Sequence, residues 1–163
     1  MKKKNIIDDI SIKMMSVKCE ADELRIIDKI LTLPDINMQC CDGRTLLIHA
    51  SFYNCMAVIK TLIDNNANLN CRDDCGYTAL HAAVTARNIN VTEYLLLHGA
   101  SVDSVDSYGN TPLFRTTHFD IDIIKLLLAH GADPFAKNNY GVSTYDKYLN
   151  YPDVLALFGE KKG

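Results

Sequence analysis

The sequence predicts an all-α repeat fold of the solenoid type, with helix-turn-helix units joined by β-hairpin-like loops. Two observations carry this. Gly43-Arg44-Thr45 recurs as Gly76-Tyr77-Thr78 and Gly109-Asn110-Thr111 at steps of 33 residues, together with Leu47, Leu80 and Leu113 and with Asn37, Asn70 and Asp103. A fixed period of that size marks copies of one supersecondary unit stacked on each other. Each copy also carries a second apolar helical run (residues 58–65, 91–97 and 121–129) that ends at Asn66-Ala67, Gly99-Ala100 or Gly131-Ala132. The apolar share of 48% over 163 residues is enough for a continuous core in a single domain.

Taken in order, residues 5–18 and 21–32 show helical spacing, with Ile26, Ile27, Ile30 and Leu31 expected to pack inward. Residues 1–36 form a degenerate first repeat, and Leu33-Pro34-Asp35-Ile36-Asn37 leads into full repeats at 37–69, 70–102 and 103–134. Gly43, Gly76, Gly109 and Gly141 mark tight turns that favour positive φ. Thr45, Thr78 and Thr111 are placed to cap the first helices, and Pro112 suits a first helical position. Gly99, Gly131 and Asn66 are expected to end the second helices in a left-handed residue. Residues 135–163 form a C-terminal cap whose last helix follows Pro152. Gly109 to Gly141 spans 32 residues, so one residue is missing near His118–Asp120. The expected consequence is an altered turn between helices within an unchanged stack.

The net charge of −3 gives no field for nucleic acid or an anionic membrane. Lys2, Lys3 and Lys4 read as a solvated start, and no stretch reaches signal or transmembrane length. The expectation is a cytoplasmic protein, monomeric when free, with its cysteines reduced. Cys40, Cys41, Cys71 and Cys75 fall in neighbouring loops; their spacing is not CxxC and they do not share one repeat position, which argues against zinc. No cofactor or metal is expected. Thr78 and His81 read as a helix-start pair, and Asp120 and Asp122 as complements to a helix dipole. His98 and His130, each before a capping glycine, suit a helix C-terminus. No phosphate loop or catalytic constellation is visible, and no enzyme is expected.

The stretch Gly76-Tyr77-Thr78-Ala79-Leu80-His81-Ala82-Ala83, followed by an apolar helix and Gly99-Ala100, resembles an ankyrin repeat at its matching period. The resemblance extends over about residues 37–158 in three copies in register. It implies a protein-binding concave face built from the turn tips and first helices, with His81 hydrogen-bonding within and between repeats. Carried onto this chain, it points to Arg44, Arg72, Asp74, Tyr77, Tyr108, Asn110 and Tyr140 on the tips. Phe52, Tyr53, His118 and Phe119 fall on the helix face. These variable positions are rich in aromatics and arginine, the residue types in which binding energy concentrates; padding between hairpins is the alternative. The function read from this is an adaptor that binds one protein, as a toxin-neutralising or otherwise inhibitory binder. The alternatives are a structural subunit or scaffold of a larger assembly, or a host-directed effector.

Overall fold

Hydroxyl side chains start the first helix of each unit after residue 36. Thr45, Thr78, Thr111 and Ser143 accept hydrogen bonds from the backbone N–H three residues on, at 3.1–3.4 Å. Each has extended backbone angles, so the chain turns sharply into the helix. Thr78 and Ser143 complete reciprocal capping boxes with His81 and Asp146.

The computed structural model describes residues 6–14 and 20–159, with side chains from residue 24 in the second stretch. Cys19 and Lys2 to Lys4 lie outside the described residues. Ten helices follow in order: α1 (Ile6–Met14), α2 (Glu20–Ile30), α3 (Leu46–Tyr53), α4 (Met56–Asp64), α5 (Ala79–Thr85), α6 (Ile89–Leu97), α7 (Pro112–Arg115), α8 (Ile121–Ala129), α9 (Thr144–Lys147) and α10 (Pro152–Phe158). They form two rows. In one, α1 packs on α3, α3 on α5, α5 on α7 and α7 on α9; in the other, α2 meets α4, α6 meets α8 and α8 meets α10. The hairpin-like loops form no strands among the described residues. They carry two isolated bridges, Gln39 with Thr45 and Lys137 with Ser143.

The second helices end as the sequence implies. Asn66, Gly99 and Gly131 adopt φ of 61°, 89° and 88°. The next N–H, from Ala67, Ala100 and Ala132, then returns to the carbonyls of Leu62, Leu95 and Leu127 at 2.9–3.0 Å. That return turns each alanine into the core, where all three are buried. Leu47, Leu80 and Leu113 from the first helices meet Val58, Val91, Leu95, Ile124 and Leu127 from the second, all nearly fully buried. Leu31 departs from expectation: α2 ends at Ile30, and Leu31 stands in the terminal turn, 55% exposed.

The missing residue in the third unit does more than alter a turn. It removes the last turn of the first helix, leaving α7 with 4 residues where α3 has 8 and α5 has 7. The carbonyls so released are taken up by the next unit. Lys147 Nζ donates to the carbonyls of Phe114 and Thr116 at 2.5 and 2.6 Å, and the Tyr148 hydroxyl donates to Thr116 at 2.6 Å. Tyr148 is 1% exposed, so its hydroxyl is fixed as well as buried. The terminal cap thus closes the shortened helix.

Candidate protein-binding face

The loop tips share a backbone path. The N–H of Cys40, Asp73, Asp106 and Asn138 donates to the carbonyl four residues on, of Arg44, Tyr77, Asn110 and Val142, at 2.9–3.0 Å. Glycine follows in a left-handed conformation at Gly43, Gly76, Gly109 and Gly141. Successive tips are tied laterally: Asp74 N–H to the Asp42 carbonyl, Ser107 to Cys75 and Asn139 to Tyr108, at 2.9–3.1 Å. Glycine at 76 and 109 answers a second demand here. A Cβ at either would lie 2.8 Å from the backbone nitrogen of the next tip, whereas one at Gly141, the last tip, would meet nothing within 4 Å.

A carboxylate stiffens the middle tips. Asp73 Oδ1 accepts from the N–H groups of Cys75 and Tyr77, and Asp106 Oδ1 from those of Tyr108 and Asn110, at 2.8–3.0 Å. Asn138 Oδ1 does the same for Tyr140 and Val142. Arg115 Nε donates to Asp106 Oδ2 at 2.9 Å, and its second nitrogen reaches the same oxygen. Burial by itself would raise the Asp106 carboxyl. The Arg115 hydrogen bond and the N–H groups of Asn110 and Tyr108 outweigh it and hold the group below its ordinary value. Asp73 is reached instead from the preceding unit, by Arg44 Nε at 3.3 Å.

His81 ties two units together. Its Nδ1 accepts from Thr78 N–H at 3.3 Å, and its Nε2–H donates to the Asn110 carbonyl at 3.1 Å. The imidazole is fully buried, and that burial pushes its pKa down, partly countered by the Asn110 bond. At neutral pH it is therefore a neutral structural group. Asp120, read from sequence as a dipole complement, is buried and held by Thr117 at 2.7 and 2.9 Å and by Arg87 at 2.8 Å. His98 Nδ1 lies 2.8 Å from the Tyr94 carbonyl at the end of α6.

The face selected from sequence divides into three groups. Arg44, Phe52, Tyr53 and Tyr77 come together around a cavity of about 130 Å³ between α3 and α5, completed by Ile48, His49, Asp73, Ala82 and Thr85. Tyr108, Phe119 and Tyr140 stand free of it and are 52%, 74% and 72% exposed. The others serve the scaffold. Asn110 is 7% exposed; its amide bonds Asp106 and its carbonyl oxygen accepts from Asn138, so it is a framework residue, because the tip folds its side chain inward. Arg72 donates to the Val105 carbonyl at 2.6 Å, spanning two units. Asp74 is exposed beside the lateral bond its backbone makes. Tyr77 packs on His81 and beneath Arg115, 5.0 Å from the guanidinium carbon. His118 stacks on Tyr151 at 4.3 Å and touches Phe119 at 3.7 Å. With α7 shortened, His118 and Phe119 belong to the turn after the helix and not to its face.

Sequence reasoning passed over Ile48, Asp73 and Arg115 as site residues. One signal was present for Arg115: it lies nine residues after Asp106, across the start of a helix, within reach of that carboxylate. The four loop thiols do not gather. Cys40 instead meets Asp42 and His49, the ligand atoms of all three lying within 4.8 Å of one another.

A family model described as ankyrin repeats (3 copies) matches residues 14–106 and 53–138. The chain belongs to the ankyrin-repeat family. Its similarity runs to an ankyrin repeat protein of Fowlpox virus (strain NVSL), 39% identical over 110 residues, which cover 64% of this chain and 32% of that protein. A second ankyrin repeat protein of the same virus is 42% identical over 121 residues, 71% of this chain and 28% of the relative. SH3 and multiple ankyrin repeat domains protein 2 of Homo sapiens is 39% identical over 114 residues, 69% of this chain and 6% of that protein. The chain thus spans less than a third of the length of these relatives. Ankyrin repeats mark it as a protein–protein interaction module. Among the described residues no helix is long and apolar enough to cross a membrane.

Proposed function

We propose that this ankyrin stack binds one protein partner along the row of tips and first helices, with the cavity between α3 and α5 as its anchor point. The observation that supports this is the pairing of a small cavity with free aromatics beside it. At about 130 Å³, the cavity falls below the roughly 300 Å³ at which small-molecule sites begin. It suits one inserted apolar side chain. Arg44 already pairs with Asp42 and Asp73, at 3.4 and 3.3 Å, so the cavity presents a balanced charge and Phe52, Tyr53 and Tyr77 as its contact surface. Tyr108, Phe119 and Tyr140 extend the contact along the stack, each with a polar tip or a free ring to bury.

The binder acts by occupying a surface of its partner, an inhibitory role of the toxin-neutralising kind. A host-directed role is the second reading, and the two Fowlpox virus relatives favour it. The test is affinity capture of partners by the wild-type protein and by Phe52→Ser/Phe119→Ser. Loss of the captured species at an unchanged melting temperature supports the groove; equal capture by both proteins overturns it.

A further inference from the structure

The first tip breaks the pattern of the others. Where the middle tips have Asp73 and Asp106, and the last has Asn138, the first has Cys40. The residue nine further on is His49, at the position held by Ala82, Arg115 and Lys147 in the other units. In the third unit this spacing brings Arg115 onto Asp106. In the first it places Cys40 Sγ 3.7 Å from His49 Nε2, with Asp42 Oδ1 2.5 Å from the same sulfur. These three groups border a cavity of about 210 Å³ that is also lined by Asp8, Ser11, Ile12 and Cys41. The Ser11 hydroxyl is buried there, 6% exposed, with no hydrogen-bond partner. A buried hydroxyl left unpaired is costly unless a further group satisfies it.

The structure assigns Cys40, Asp42 and His49 as a binding site for a borderline-soft divalent cation of the Zn2+ kind, at the junction of α1 with the first full repeat. Thiolate, imidazole and carboxylate together are a zinc donor set, and the thiol disfavours the hard ions Mg2+ and Ca2+. Tetrahedral ligand bonds of 2.0–2.3 Å separate ligand atoms by roughly 3.5 Å. The sulfur–imidazole distance already meets this; the sulfur–carboxylate distance opens as the metal replaces the thiol proton. Binding forms the Sγ–metal bond and releases that proton to solvent. Arg44 can surrender Asp42 because it also holds Asp73. A metal-bound water in the fourth position would give the Ser11 hydroxyl its partner.

The repeat supplies variants that its own backbone tolerates: Cys40→Asp copies the tip at Asp73, and His49→Ala copies Ala82. Reduced, metal-free protein is titrated with Co2+, whose thiolate charge-transfer and tetrahedral d–d absorption report the site, and then with Zn2+ in competition. The expected result is one equivalent bound with that spectrum and displaced by Zn2+. Zn2+ in about hundredfold excess over its Kd should raise the melting temperature by on the order of 5 °C. Cys40→Asp and His49→Ala, folded by circular dichroism, should each weaken binding by about tenfold or more, and Cys75→Ser should not. Absence of the charge-transfer band in the wild type, its persistence in Cys40→Asp, or an unchanged Co2+ affinity in His49→Ala overturns the assignment.

Discussion

The loop tips at Asp73 and Asp106 and the tip at Cys40 follow one backbone path, yet only the first two carry a carboxylate at the pivot. At Asp106 a single side chain accepts two backbone N–H groups and an arginine. At Cys40 the thiol turns to Asp42 and His49. Burial and the Asp42 carboxylate push that thiol up to about 11, so it stays protonated and donates to Asp42. His49 is held neutral by burial and by the Arg44 charge. The same turn therefore serves as a rigid strut in the middle of the stack and gathers a thiol, a carboxylate and an imidazole at its beginning. What differs is chemistry at two positions nine apart, while the fold between them is constant.

The comparison breaks most sharply at Asp106. Asp106→Ala strands Arg115 and the N–H groups of Tyr108 and Asn110, and should cost about 3–4 kcal/mol, whereas Cys40→Ala should cost under about 1 kcal/mol; chemical denaturation of both variants measures the gap. Next comes Gly76→Ala, which combines a φ of 79° with a Cβ 2.8 Å from Ser107 N and 2.8 Å from the Arg72 guanidinium. A loss of about 2–3 kcal/mol is expected. Gly141→Ala has the same turn without a following tip and should lose about 1 kcal/mol. Equal losses at the two glycines would remove the lateral contact as a cause.

At the other end of the stack, Tyr148→Phe should cost about 1–2 kcal/mol, because it removes a buried hydroxyl that bonds Thr116 and leaves the Thr116 carbonyl to Lys147 alone. The smallest effect is on pH dependence. His81 is buried with its pKa lowered below the ordinary 6.5, so the unfolded chain takes up a proton that the folded one refuses. Its contribution is complete above pH 6.5 and is lost as pH falls from there towards the folded value; His49 shares the sign. Thermal denaturation between pH 7.5 and about 5 should show a falling melting temperature whose slope is reduced in His81→Leu. An unchanged slope would show that the imidazole titrates alike in both states.

Much of this was legible beforehand for local reasons. The caps at Thr45, Thr78 and Thr111, and the left-handed stops at Asn66, Gly99 and Gly131, depend on atoms three to five residues away, so residue type and spacing sufficed. The missing residue before Asp120 was visible too, but its effect was not. Whether a deletion shortens a turn or a helix depends on who satisfies the freed carbonyls, and Lys147 and Tyr148 lie some thirty residues along. Asn110 was misread for the same reason. Its position flanks the turn glycine, like the exposed tip residues, but its amide is drawn in by Asp106 and Asn138.

By itself the sequence determined the period, the capped starts at Thr45, Thr78 and Thr111, the stops at Asn66, Gly99 and Gly131, the apolar faces and hence the ankyrin family, because all of these are encoded in short-range hydrogen bonding and in repetition. Only the tertiary structure decided which aromatics remain free, that Arg44, Phe52, Tyr53 and Tyr77 share a cavity, and that Ser11 of α1 lines one cavity with Cys40 and His49. Those outcomes depend on the stagger between stacked units and on how α1 seats against α3. The Cys40–His49 contact is local, but the two cavities join residues of neighbouring units, whose separation is set by the packing of the stack.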